Sequence, residues 1–457
     1  MKKLLLIFVM ALTGVMAASA EVRADERFQK METYLDEVVN AYHVPGMACV
    51  ITNQEGALFE KAFDECTSLD QQFYIGSMSK SYTALCVMQL VEKGLVHLDD
   101  DISVYLPDYK FEKSVTVLML LNQITGFDTH AKLHNVKQKK SYGQFEYANV
   151  NYDLLGKIVE AASGQTYEAY IQQNVFVPLG MADSRANALA VKDSPKLLLG
   201  NRNCFGFFKR GEAVFPVEKS WFHEPAGYIA TTPHDHAKYL RMYLNGGKTR
   251  GLKNSENQLL SAQNINTMWY KNVSEGDKQY DLNYGMGWNC LNWKGQTIIF
   301  HAGQVENGIT FQYILPGKRL AVCFMVNASD YLVMNSLMND VVFETIEILN
   351  GEEPEKINHK KYVLFHIGLN VIYCLIIALS FLVLIMAIKS KLNMLLTIAG
   401  GVVWPVLLLS FTQLFISTPL WVVRLFVTDL YIVLITGAAI AFAGGVIYFL
   451  KMIFAFE

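Results

Sequence analysis

The chain has 457 residues, a net charge of −3 and ten histidines, and no stripe of basic residues runs along it, which excludes an electrostatic nucleic-acid binder. Hydrophobic residues make up 52% of it and the mean hydropathy is +0.21, too apolar for an ordinary soluble enzyme, so membrane segments are predicted. The seven cysteines lack C-x-x-C spacing, and those in MACVIT (Cys49) and LAVCFMVN (Cys323) read as small core hydrophobes, so no structural disulfide is expected.

Residues 1–20, MKKLLLIFVMALTGVMAASA, read as a signal peptide: Lys2 and Lys3, a short apolar run, then Ala18-Ser19-Ala20, with cleavage expected before Glu21. ERFQKMETYLDEVVNAYHV has apolar residues at helical spacing, and GMACVITNQEGALFEKAF reads as two strands around a turn at Gln54-Glu55-Gly56. After IGSMSK comes an apolar helix that should end near Gly94. A middle punctuated by proline and glycine carries helices such as YDLLGKIVEAASG. TIIFHAG, ITFQYIL and RLAVCFMVN then form a run of strands, with a turn at Leu315-Pro316-Gly317-Lys318. Strands at both ends and helices between predict that the termini share one sheet and the middle forms a helical lobe, with a cleft between them.

Residues 356–457 hold three apolar runs, about 362–388, 394–416 and 430–450, each long enough to cross a ~30 Å hydrocarbon core. With a signal peptide in front, residues 21–355 are expected on the extracytoplasmic side of the cytoplasmic membrane, as a domain anchored by a multi-pass membrane segment. Lys389 and Lys391 in the first connection agree with that orientation, although Lys356, Lys360 and Lys361 flank the same run on its other side.

Ser77 and Lys80 form the one S-x-x-K of the chain. On a helix the two side chains share a face, and a buried lysine can lose its proton near neutral pH and accept one from a serine. An N-cap serine is the plainer reading of the same spacing. Tyr147-Ala148-Asn149, ahead of a helix, offers a proton relay and an amide; the same Y-x-N pattern recurs at Tyr243 and Tyr270, and a packed aromatic is the alternative for Tyr147. His301-Ala302-Gly303 leaves the strand TIIF, where Gly303 permits close backbone approach and the Gln304 N–H can face the cleft; a second H-x-G at His366 lies in a membrane run.

In this order the three elements resemble the serine β-lactamase and penicillin-binding protein superfamily, nearest its class C branch. The resemblance spans about residues 25–348 and includes YIGSMSKSYTALCVMQLVEKGLVHLDDDISVYLP, PAGYIATTPHDHAKYLRMYLNGG and the run Tyr284-Gly285-Met286-Gly287-Trp288. It implies an α/β fold, an antiparallel sheet flanked by helices plus an all-helical lobe. It implies that Ser77 attacks a carbonyl to form an acyl-enzyme, Lys80 and Tyr147 move the proton, and Asn149 orients the substrate amide. The Ser77 and Gln304 N–H groups would form the oxyanion hole. No metal or organic cofactor is implied.

His301 stands where most β-lactamases have lysine, as in related DD-peptidases, esterases and D-amino-acid peptidases. Only partly charged near neutral pH, it should hold a substrate carboxylate less firmly. Thr125-Gly126-Phe127 replaces the usual T-S-G-L. His234-Asp235-His236 reads as a capped helix start rather than a metal pair, and His223 as a surface histidine on a loop near the cleft mouth. The layout, domain then three membrane runs, resembles the colibactin-activating prodrug peptidases, which remove an N-acyl-D-asparagine cap; Tyr74 and Asn149 depart from that family's specificity positions. The expected partners are a small peptide or β-lactam-like substrate and membrane lipid. A D-stereospecific peptidase is the leading expectation, with a β-lactamase or esterase, or a non-catalytic penicillin-binding sensor, as alternatives.

Overall fold

The computed structural model describes residues 26–139, 141–211, 220–250, 256–276, 281–389 and 393–454. The signal-peptide expectation at 1–20 lies outside the described residues, as does Lys391.

Residues 26–42 form helix α1, followed by strands β1 (Gly46–Thr52) and β2 (Ala57–Asp64). Asn53 closes their turn, its Oδ1 accepting from the Glu55 and Gly56 N–H groups. Near the other end of the domain lie β3 (Val273–Ser274), β4 (Asn283–Tyr284), β5 (Asn289–Trp293), β6 (Gln296–Val305), β7 (Gly308–Leu315) and β8 (Leu320–Val326). They join one antiparallel eight-stranded sheet in the order β2-β1-β8-β7-β6-β5-β4-β3. The first strand of the domain pairs with the last, Cys49 opposite Phe324, as the strand-rich termini require.

Both faces of this sheet are covered, which is why its central strands read as almost unbroken apolar runs. Val322, Phe324 and Val326 of β8 pack with α1 and with α5 (Met334–Asn350), while Ala321, Cys323 and Met325 face the helical lobe. At the centre of that lobe is α2 (Ser79–Glu92), whose residues are buried on every side as far as Leu90. Packed against it are α3 (Asn149–Ser163), capped by Gly164 in the left-handed conformation, and the π-helical turn Glu224–Tyr228. Helix α4 (Pro233–Leu244) lies nearby, capped by the Thr232 hydroxyl. All seven cysteines are free, with Cys49 and Cys323 buried on neighbouring strands.

Among the described residues, three helices are long and apolar enough to cross a membrane: α6 (His359–Ile388), α7 (Met394–Ile416) and α8 (Thr428–Phe454). They coincide with the expected runs. Small residues seat them: a Cβ on Gly401 would lie 2.5 Å from the Gly445 Cα, so α7 and α8 touch backbone to backbone.

Candidate active site

The site is made where the turn before α2 meets β6. Gly76 opens a 3-10 turn, Gly76–Met78, with φ +53, and a Cβ there would stand 2.2 Å from the Gln304 nitrogen. A Cβ on Gly303 would stand 1.9 Å from the Ile75 carbonyl oxygen. Only two glycines allow this approach. The Thr310 hydroxyl, from the residue opposite Gly303 on β7, donates to the Ile75 carbonyl at 2.7 Å and fixes the turn. Strand alternation puts His301 on the same lobe-facing side as Gly303. Gln304 faces the other way, its side-chain amide donating to the Ser329 hydroxyl at 3.0 Å. Strand β5 pairs with β6 only as far as Phe300, so from His301 onward that edge has no strand neighbour among the described residues.

Ser77 is not a helix cap: neither the turn nor α2 has a side-chain cap bond at its start. Its hydroxyl meets Lys80 Nζ at 3.0 Å. Lys80 is wholly buried, and its Nζ donates also to Asn149 Oδ1 at 2.7 Å and the Ala226 carbonyl at 2.6 Å. Burial lowers its pKa to about 7, opposed by the charge of Asp153. Two of its partners are carbonyl oxygens, which only accept. A neutral Lys80 therefore spends both N–H groups on Asn149 and Ala226, and its lone pair faces the Ser77 O–H.

Tyr147 lies beside this pair, its ring centroid 4.9 Å from Lys80 Nζ. Burial holds its pKa above the usual phenol value, against a hydrogen bond with Ser77. His301 packs against Tyr147 and Tyr284, with centroids 6.3 and 5.9 Å away. Its Nδ1–H donates to the Ala302 carbonyl at 2.6 Å, which leaves Nε2 as the acceptor toward the Tyr284 hydroxyl at 3.4 Å. Burial, reinforced by the Lys80 charge, pushes its pKa down to about 3. The expectation of a partly charged histidine is thereby corrected: His301 is a neutral ring at pH 7. Asn149, whose amide was expected to fix either the substrate or the lysine, accepts from Lys80 through its carbonyl oxygen.

Sequence reasoning singled out Ser77, Lys80, Tyr147, Asn149, His301, Gly303 and Gln304, and the fold brings all seven to this junction. It missed the Ala226 carbonyl, because a backbone acceptor leaves no mark in a residue pattern, and it missed Tyr284, whose run was noticed only as context. It also missed the partner of His223. Asp153, one turn along α3 from Asn149, accepts from the His223 N–H at 3.0 Å and meets its Nδ1 at 2.9 Å. The Asp153 side chain is 1% exposed and that of His223 19%, so this histidine is a part-buried partner of a buried carboxylate rather than a free surface residue. The His223 carbonyl in turn accepts from the Ala226 and Gly227 N–H groups, shaping the turn that offers Ala226 to Lys80. A cavity of about 560 Å³ opens beside the pair, lined also by Lys157, Glu160 and Glu224.

His234 and His236 diverge. The first sits between Asp70 and Glu60; the second is buried against the Tyr82 hydroxyl at 2.8 Å. No group of three metal-ligating side chains gathers among the described residues.

The family model "Beta-lactamase" matches residues 29–346. Among curated proteins, the chain is 23% identical over 368 residues to "Protein flp" of Staphylococcus aureus, covering 73% of this chain and 67% of that protein. It is 28% identical over 183 residues to the "Putative penicillin-binding protein PbpX" of Bacillus subtilis, covering 35% and 45%. Among solved structures, the octameric penicillin-binding protein homologue from Pyrococcus abyssi superposes with a TM-score of 0.60 at 24% identity, over 72% of this chain and 78% of that one. The D-amino acid amidase from Ochrobactrum anthropi SV3 does so with 0.57 at 19% identity, over 72% and 99%. Both share the fold. With a matched segment that covers most of the sequence, the chain belongs to the Beta-lactamase family, among the β-lactamase and penicillin-binding-like hydrolases.

Proposed function

We propose that the protein is a membrane-anchored serine hydrolase that works through an acyl-enzyme on a D-amino-acid amide, with its catalytic domain on the extracytoplasmic side. The observation that carries the chemistry is the Lys80 amine, held by two carbonyls so that its free lone pair meets Ser77. Ser77 Oγ attacks the substrate carbonyl as its proton passes to Lys80. Tyr147, hydrogen-bonded to the same hydroxyl, gives its proton to the leaving amine and recovers one from Lys80, so the Ser77 proton is the one finally transferred. The Ser77 and Gln304 N–H groups hold the oxyanion, and a donor of this kind is worth ~3 kcal/mol. The open edge of β6 from His301 to Gln304 suits a peptide lying alongside it as an added strand. Water then releases the acyl group.

A peptide amide is favoured over a penicillin because the family's cationic position holds a buried, neutral His301. The D-stereospecific reading is supported by the amidases that share the fold, "D-amino acid amidase" among them. The domain's membrane anchoring rests on the length and apolarity of α6, α7 and α8.

The test is active-site labelling of the folded protein with a fluorophosphonate and with a fluorescent penicillin, followed by mass mapping of the adduct. A single adduct on Ser77, lost in Ser77→Ala, is the expected result. Well-folded protein that takes neither probe would overturn the acyl-enzyme reading.

A further inference from the structure

The strands Asn201–Cys204 and Phe207–Arg210 form a hairpin whose two turn residues, Phe205 and Gly206, both have positive φ. Its tip does not lie on the catalytic domain. Asn203 Nδ2 donates to the Tyr362 hydroxyl at 2.9 Å, Asn370 Nδ2 to the Phe205 carbonyl at 3.0 Å, and the Phe205 N–H to Asp429 Oδ2 at 3.1 Å. The Phe205 ring stands 5.9 Å from that of Tyr373. The hairpin thus runs down α6 from Tyr362 to Tyr373, about 16 Å at 1.5 Å per residue.

The depth of that point is set by polar groups at both ends of the helix pair. At the far end of α8, Lys451 Nζ donates to the Ala387 and Ile388 carbonyls that close α6. From Asp429 to Lys451 the helix rises about 33 Å, close to the ~30 Å of a hydrocarbon core. Asp429, and the hairpin tip bound to it, therefore stand at the apolar boundary of the leaflet nearest the catalytic domain. Here Phe207 is 72% exposed, the most exposed phenylalanine outside the apolar helices among the described residues, and Lys209 beside it is exposed as well. Tyr331, also exposed, touches Phe426 in the short connection between α7 and α8. Aromatic rings flanked by cations at this depth match the belt found where membrane proteins meet headgroups.

We propose that the hairpin is an interfacial lipid anchor, with Phe207 sunk among the acyl chains at the headgroup boundary, so that the catalytic domain rests on the bilayer in one orientation. The inference rests on the membrane-spanning reading of α6 and α8 given above. Its consequence is that the cleft has a fixed height and tilt relative to the surface, and substrates reach it along the leaflet or from the space just above it.

The experiment uses the full chain in phospholipid nanodiscs with Cys374→Ala as background, the other cysteines outside the apolar helices being at least partly buried. Phe207→Cys, Leu382→Cys and Leu95→Cys are each spin-labelled, and collision rates with oxygen and with a water-soluble nickel chelate are compared. Leu382 is half exposed on α6 between Tyr373 and its end at Ile388, and Leu95 is half exposed just beyond the end of α2. The label at 207 is expected to favour oxygen over the chelate by several-fold, as at 382, while 95 shows the reverse. If 382 reports lipid but 207 collides with the chelate as 95 does, the anchor is overturned and the spanning reading stands. If 382 itself is open to the chelate, both fall.

Discussion

Lys80 has no exposed surface and no carboxylate among its hydrogen-bond partners, so the cost of its charge is carried by three oxygens and one more distant acid. Its pKa of about 7 means that activity through a neutral amine rises with pH and reaches its plateau above pH 7. Asp153 favours the charged amine, so Asp153→Asn should lower that pKa and move the acidic limb of the kcat/KM profile to lower pH. A purely structural role would lower the plateau and leave the limb in place; the profile over pH 5–9 decides. Lys80→Ala and Tyr147→Phe should each slow Ser77 acylation by ~100-fold or more, measured by stopped-flow with an activated ester. A neutral His301 gives a substrate carboxylate no cation, whereas His301→Lys places one there. The ratio of kcat/KM for a D-amino-acid peptide acid over its amide should rise about ten-fold, or ~1.4 kcal/mol. An unchanged ratio would leave His301 as a packing and proton-network residue.

At the scale of elements, the site depends on how closely the turn before α2 can approach β6. Gly303→Ala puts a methyl group into the Ile75 carbonyl and Gly76→Ala one into the Gln304 amide. Both contacts are backbone, which cannot rotate away. Each variant should lose ~1–3 kcal/mol of stability, and acylation should fall further than Tm predicts, because the oxyanion donors move apart. Circular dichroism melts run beside the acylation assay separate the two effects. Helix α4 docks on α2 through His236, bonded to Tyr82, and Tyr239, stacked on Tyr82 at 3.7 Å. Burial depresses the His236 pKa to about 3, so the unfolded chain binds this proton first as pH falls. Its contribution is complete above about pH 6.5 and is lost progressively from there toward pH 3. His236→Gln should therefore narrow the gap in Tm between pH 7.5 and pH 5, without closing it, since His301 titrates in the same sense.

For the whole molecule, the β-lactamase-family domain and the apolar C-terminal helices are joined by more than a tether. His366 Nε2 meets Asp330 Oδ2 at 2.8 Å with both side chains buried. The H-x-G at His366, set aside in the sequence as a membrane residue, is thus one side of a polar joint. Breaking such a buried pair costs ~3 kcal/mol or more. Asp330→Asn should lower the melting midpoint of the full chain in detergent, and limited proteolysis between α5 and α6 should become faster. Beside this joint, Trp221 stacks edge-on with Trp421 and Phe426 of the connection between α7 and α8. The loop bearing Trp221 leads directly to His223 and Ala226, so the apolar C-terminal helices support one wall of the candidate site.

Much of this arrangement was legible in the sequence by itself. Unbroken apolar strands such as LAVCFMVN required a sheet covered on both faces, glycine and proline marked its turns, and three long apolar runs required helices of membrane length. The S-x-x-K, Y-x-N and H-x-G patterns named the side chains that the fold gathers at the candidate site. What only the tertiary structure decided were quantities set by surroundings that lie far apart in the chain. The charge of His301 follows from its burial beside Lys80, and the direction of the Lys80 lone pair from a backbone carbonyl at Ala226. The pairing of His223 joins residues 70 positions apart, and the descent of the hairpin along α6 joins residues more than 150 apart. Spacing reports what a chain carries locally; burial, hydrogen-bond direction and electrostatic coupling belong to neighbours that folding alone brings together.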